Sequence, residues 1–200
     1  RVIRETPVDT SWNPLSRDSM LLPNWVAERR EDGGTILRAL FDAWFAANPG
    51  RHPFERDLVR SMDDHWLREF AKSSPGAFLY GAGPALVTTL VLIKTKEAHG
   101  ERDYTFERRP RAGEVYGADA FLALYRKALQ QLAKERPDIA RQRLGLFDPA
   151  LHRMFRHLHL ETIAAGEGKL ADDLIALLRF TDLDEAGFAG AEGQSPGRAA

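Results

Sequence analysis

The sequence predicts a mainly α fold: a helical domain with one small β-hairpin over about residues 85–109, an all-α arrangement being the alternative. Three observations carry this reading. Apolar residues recur at intervals of three and four in several separate stretches, which marks helices with one buried face. Proline and glycine punctuate the chain between those stretches. One stretch, Ala85–Lys96, mixes threonine, valine and isoleucine in a way that favours a strand.

Residues 1–30 read as an irregular arm, with Pro7, Pro14 and Pro23 set among polar residues. Trp12 and Trp25 would tether it to the body or to a partner, since an indole is costly to leave in water. Gly33-Gly34 precedes a first helix over Thr35–Ala47, whose Ile36, Leu37, Leu40, Phe41, Trp44 and Phe45 form a wide apolar face that ends at Asn48-Pro49-Gly50. Pro53 suits the first turn of a second helix, in which Phe54, Leu58, Met62, Trp66 and Phe70 recur every four residues until Ser73-Ser74-Pro75-Gly76. Gly81-Ala82-Gly83-Pro84 reads as a turn without the lysine or spacing of a phosphate loop.

In the hairpin reading, Ala85–Lys96 pairs with Tyr104-Thr105-Phe106-Glu107-Arg108 across a loop at His99-Gly100. A clear helix returns at Ala118–Lys134, with Phe121, Leu122, Tyr125, Leu129 and Leu132 on one face, and a shorter one follows at Asp138–Leu144. Asp148-Pro149 offers a cap followed by proline at the first helical position, opening a helix to about Ala165. Leu170–Phe180 supplies the last helix. The expected organisation is a single domain over residues 1–186 with a disordered tail over 187–200.

Composition excludes several chemistries. A chain 44% hydrophobic and 28% charged is that of a folded domain. With no cysteine there are no disulfides, thiolate nucleophiles or Cys-ligated metals, which fits a reducing compartment. No signal-peptide layout is present and the longest apolar run, Ala85–Ile93, is about half the length needed to cross a bilayer. A cytoplasmic protein without membrane contact is therefore expected. Nucleotide-binding glycine loops and the nucleophile elbow are missing, and no catalytic residue or cofactor is assigned.

The net charge of −1 conceals an asymmetry. Residues 102–160 hold 12 basic and 7 acidic side chains, a balance of +5 within a chain that is otherwise −6. Arginine supplies 22 of the 28 basic residues, which reflects either a GC-rich genome or a use for guanidinium forks on phosphate. Arg102, Arg108, Arg109 and Arg111 interleave with Tyr104 and Phe106, a pattern found on single-stranded nucleic-acid surfaces; the alternative is a hairpin with its aromatic residues in the core.

The stretch Leu151–Glu161 holds three of the six histidines. Its Leu151, Met154, Phe155 and Leu158 form a buried stripe. His152 and His159 lie about 10 Å apart along a helix, too far to share a metal, so no metal site is assigned. Arg153, Arg156 and His157 converge instead on one side, together with Leu160, and Glu161 could hold His157 protonated. The residues expected to bind a polyanion or partner are thus Arg102, Arg108, Arg109, Arg111, Arg153, Arg156 and His157. The adjacent Asp63, Asp64 and His65 diverge on a helix; Asp57, Arg60, Asp64 and Arg68 line a face that reads as a solvated ladder, and His65 and Glu69, one turn apart, could pair. The function expected is a non-catalytic helical binding subunit that contacts nucleic acid or another polyanion. The alternatives are a protein-interaction or assembly subunit, including a homo-oligomer, and a metal-dependent hydrolase using the histidines with Asp63 and Asp64.

Overall fold

The computed structural model describes residues 32–55, 65–101, 103, 105, 106 and 118–180. Among them run seven helices: α1 (Gly33–Ala47), α2 (His65–Ser73), α3 (Pro75–Ala98), α4 (Ala118–Glu135), α5 (Pro137–Leu144), α6 (Arg153–Ala165) and α7 (Ala171–Phe180). The fold is mainly α, and no strand occurs among the described residues. The expected arm, the tail over 187–200 and the whole segment 56–64 lie outside them.

The apolar spacing of α1 and α4 translates directly into packing. Ile36, Leu37, Leu40, Phe41 and Trp44 are buried on α1, as are Phe121, Leu122, Tyr125, Leu129 and Leu132 on α4. Each large side chain removed from water contributes about 1.5–3 kcal/mol. Aromatic rings link these faces into a chain: Phe41 and Phe54 both pack on Phe121, Phe121 on Phe78, Phe78 on Tyr125, Tyr125 on Phe147 and Phe147 on Phe155. Centroid separations of 4.8–6.2 Å place every pair in the range of favourable ring contact.

Helix α3 corrects the hairpin reading. Ala85–Lys96 lies wholly inside it, and Gly81-Ala82-Gly83-Pro84 is helical rather than a turn. Buried residues such as Leu79, Ala82, Leu86, Thr89, Leu90 and Ile93 occupy so much of its circumference that the helical period is hidden. The threonines are accommodated by bonding back along the helix, Thr89 Oγ1 to the Ala85 carbonyl at 2.8 Å and Thr95 Oγ1 to that of Val91 at 2.9 Å. Pro84 frees the carbonyl of Tyr80 on an exposed side of α3, where water can take the place of the missing N–H. Helix α3 is long and apolar enough, by length and composition, to cross a bilayer, although 56% of its most apolar window is buried within the fold.

Glycines let α1 approach α3 closely. A Cβ on Gly34 would collide with the Ala77 carbonyl, and one on Gly81 would lie 2.6 Å from the Gly34 carbonyl. The two helices run parallel: Gly34 meets α3 near its start, while Glu55, beyond the end of α1, reaches Lys96 near the end of α3.

Two helix starts differ from expectation. Pro53 and Phe54 form a turn rather than a helix, with Phe54 buried against Phe121. Asp148 and Pro149 also form a turn: Asp148 Oδ1 accepts from Ala150 N at 2.9 Å, which spends the cap on the turn itself. Helix α6 opens five residues after Asp148, at Arg153.

Candidate functional site

His152 sets the beginning of α6. Its backbone is extended and its Nδ1 accepts a hydrogen bond from Met154 N at 3.0 Å, the task usually given to Ser, Thr, Asn or Asp. Because Nδ1 accepts, the neutral ring carries its proton on Nε2. Burial pushes the His152 pKa below the ordinary histidine value; Glu97 raises it, and the charges of Arg153, Lys94 and Arg156 lower it. The cap therefore works with an uncharged imidazole.

Immediately beside this cap lies a cleft of about 350 Å³. Leu90 and Ile93 of α3 and Phe106 of the turn after it give it an apolar floor. Lys94 enters from α3, and Arg153 and Arg156 from the first turn of α6. Lys94 Nζ also donates to the Leu151 carbonyl at 3.0 Å, fixing the turn before α6 against α3. The first turn of α6 contains no acidic residue. Two guanidinium groups at the positive end of a helix are unfavourable by about 0.3–1 kcal/mol each in the absence of a counter-charge. Neither Arg153 nor Arg156 forms an ion pair with a carboxylate of the described residues.

The carboxylates on the cleft wall are Glu97 and Asp103. Asp103 is committed elsewhere: Oδ1 accepts from Thr105 N at 3.0 Å and from the Thr105 hydroxyl at 2.5 Å, while Oδ2 lies 2.8 Å from His52 Nε2. Burial raises the Asp103 pKa, but the bonds from Thr105 and His52 and the His52 charge outweigh it, leaving the carboxyl below its ordinary range. His52 is 0% exposed, and its Nδ1 has no hydrogen-bond partner among the described residues. Lys96 Nζ sits 3.7 Å from Asp103 Oδ2 and 3.3 Å from Glu55 Oε1, and Arg51 completes the cluster at 2.8 Å from Glu55 Oε2. This network holds the turn bearing Phe106 against the end of α1 and so shapes one wall of the cleft.

Of the residues expected to bind, Arg153 and Arg156 are brought together with Lys94 in the cleft. His157 is exposed on α6 and takes no part in the lining. Arg102, Arg108, Arg109 and Arg111 lie outside the described residues, as do Asp63 and Asp64. Glu161 does not serve His157: its Oε2 lies 3.4 Å from Arg126 Nε of α4. Leu151 is exposed rather than part of the buried stripe, because the chain is still in a turn there. Leu160 packs against the core, which removes the need for a partner to cover it.

Other histidines act as structural donors or caps. His159 Nε2 donates to the Phe147 carbonyl at 2.7 Å, and His99 Nδ1 lies 2.7 Å from the Thr95 carbonyl. Among the described residues no group of three His, Asp or Glu side chains is placed to hold a metal ion. The residues that sequence reasoning missed are Lys94, His152 as a cap, and the His52–Asp103 pair. Nothing in spacing could join His52 to Asp103, which are 51 residues apart. Comparison with protein-family models, curated proteins and solved structures finds no match to this chain.

Proposed function

We propose that this chain is a non-catalytic helical binding protein whose cleft takes an anionic group, with the phosphates of nucleic acid or another polyanion as the ligand class. The observation that carries the reading is the convergence of Arg153, Arg156 and Lys94 on one cleft at the start of α6. Neither guanidinium group forms an ion pair with a carboxylate of the described residues, although Glu97 shares the cleft wall with them, and guanidinium forks match phosphate oxygens. The basic balance over residues 102–160 supports the same class of ligand.

Fluorescence anisotropy with labelled single- and double-stranded oligonucleotides tests this. Binding should appear at low ionic strength and weaken steeply with salt. Replacing both arginines (Arg153→Ala, Arg156→Ala) should lower the slope of log K against log salt by about 1.4–1.8. No binding at low salt, or a slope unchanged by the double substitution, overturns the proposal.

A second reading, an assembly subunit, is favoured by Ile175 and Leu178, both exposed one turn apart on α7. Light scattering that shows a strict monomer which stays monomeric at high concentration counts against it.

A further inference from the structure

The cleft at the start of α6 has two unlike surfaces, and a phosphate alone would use only one of them. Arg153, Arg156 and Lys94 form its cationic side. Leu90, Ile93 and Phe106 form its apolar floor, and Leu151 on its lip is 42% exposed although it is a large aliphatic side chain. A phosphate gains nothing from these apolar groups, whereas a flat ring with an apolar face does. Glu97 adds a third chemistry. Leu90, Ile93 and Glu97 follow at intervals of three and four, so they share one side of α3, with Glu97 about 10 Å along the axis from Leu90. Among the described residues the Glu97 carboxylate takes neither an ion pair nor a hydrogen bond. Asp103, the other acid on the wall, is already held by Thr105 and His52.

Resting on the anion-binding reading of this cleft, we propose that its ligand is one unpaired nucleotide of a single strand, with Glu97 as the residue that selects the base. The phosphate takes Arg153, Arg156 and Lys94, whose bond to the Leu151 carbonyl leaves two ammonium protons for it. The base covers the apolar floor and Leu151, and Glu97 accepts from its exocyclic amino group. Size and stacking decide between strand and duplex. A cleft of about 350 Å³ sits at the small end of the range of about 300–1,000 Å³ for small-molecule pockets, which suits one nucleotide and not a base-paired stack. In a duplex the base faces are covered by their neighbours, so the floor and Leu151 would go unused. A carboxylate accepts but cannot donate, so Glu97 favours cytosine, with its N4 amino group, over thymine, whose O4 is an acceptor.

Fluorescence anisotropy on the full chain at low salt and pH 7.5, with short labelled oligo-dC, oligo-dT and a duplex of the same length, tests this. Oligo-dC should bind about tenfold more tightly than oligo-dT, and more tightly than the duplex. Glu97 is exposed, so Glu97→Gln should fold normally. Glutamine can also donate to O4, and the preference for oligo-dC over oligo-dT should then vanish. Taking the ratio of the two affinities cancels the general gain from removing a negative charge. Arg153→Ala with Arg156→Ala should weaken both strands alike. Equal binding of the two strands by the unaltered protein, or a ratio unchanged in Glu97→Gln, overturns the base selection; a loss of affinity in the arginine variant then still upholds the anion site. A duplex bound as tightly as oligo-dC overturns the unpaired nucleotide. Cytidine monophosphate that displaces oligo-dC at equal concentration assigns the cleft to a free nucleotide and overturns the strand. No binding of any probe overturns the proposal together with the reading it rests on.

Discussion

At the scale of single residues, His152 joins structure to titration. The unfolded chain protonates an ordinary histidine near pH 6.5, whereas burial holds the folded His152 below that value. The unfolded state therefore binds more protons as pH falls through that range, and stability is lost in the same direction. Full stability belongs above the unfolded value. Protonation also removes the Nδ1 lone pair that accepts from Met154 N. His152→Ala should cost about 1 kcal/mol near pH 7.5 through loss of the cap. His152→Asn keeps an acceptor but cannot titrate, so it should retain most of the stability and flatten the decline between pH 7 and 5. Urea denaturation of the three proteins at several pH values measures both effects. The cap could not be read from sequence because Asp148-Pro149 offers a stronger start signal four residues earlier. Only the structure shows that Asp148 is used by its own turn.

Helical elements meet at positions where one missing Cβ decides the packing. Gly83 of α3 faces Tyr125 of α4, and a Cβ there would lie 2.9 Å from the phenol oxygen but 3.9 Å from the ring carbon bearing it. That hydroxyl is buried without a hydrogen-bond partner among the described residues, and burial drives its pKa upward. Gly83→Ala alone should destabilise by about 1–3 kcal/mol through overpacking. Combined with Tyr125→Phe the clash with oxygen disappears, and the alanine should then recover part or all of the loss. A thermodynamic cycle over the four proteins, read by thermal unfolding, should show a coupling of about 1 kcal/mol or more; additive behaviour would refute the contact. Amphipathic elements were legible for the same physical reason that they pack: Leu37, Phe41 and Trp44 on α1, and Phe121, Tyr125 and Leu129 on α4, declare their buried side by spacing. Helix α3 was not, because it is apolar on exposed positions such as Val91 as well as on its buried side, and its β-branched residues then weigh toward a strand.

For the molecule as a whole, the His52–Asp103 pair ties together segments that no local signal connects. Asp103 titrates below the ordinary aspartate value of about 3.9, so its contribution is complete above that pH and is lost as pH falls through its lower folded value. Glu55 behaves alike: burial raises it, and hydrogen bonds from Arg51 and Lys96 bring it below the ordinary range. An acid limb below about pH 4 should therefore appear in stability measurements. Asp103→Asn should shallow that limb and cost about 1–3 kcal/mol at neutral pH by leaving His52 buried with a poorer partner. The cationic side of the cleft was half legible, since Arg153 and Arg156 share a helical face. Lys94 reaches them only through tertiary packing, which a pattern along one segment cannot encode.

The parallel contact of α1 with α3 also bears on how quickly the chain finds its structure. Neighbouring helices usually fold back antiparallel after a short loop, whereas Gly34 must find Ala77 across about 40 residues of chain, an entropic closure of about 3 kcal/mol before any contact repays it. Docking of these two helices is thus a non-local step, and it sets a slower search than an up-and-down bundle of equal length would face. Small residues at that crossing govern the folding rate as well as the depth of the native minimum.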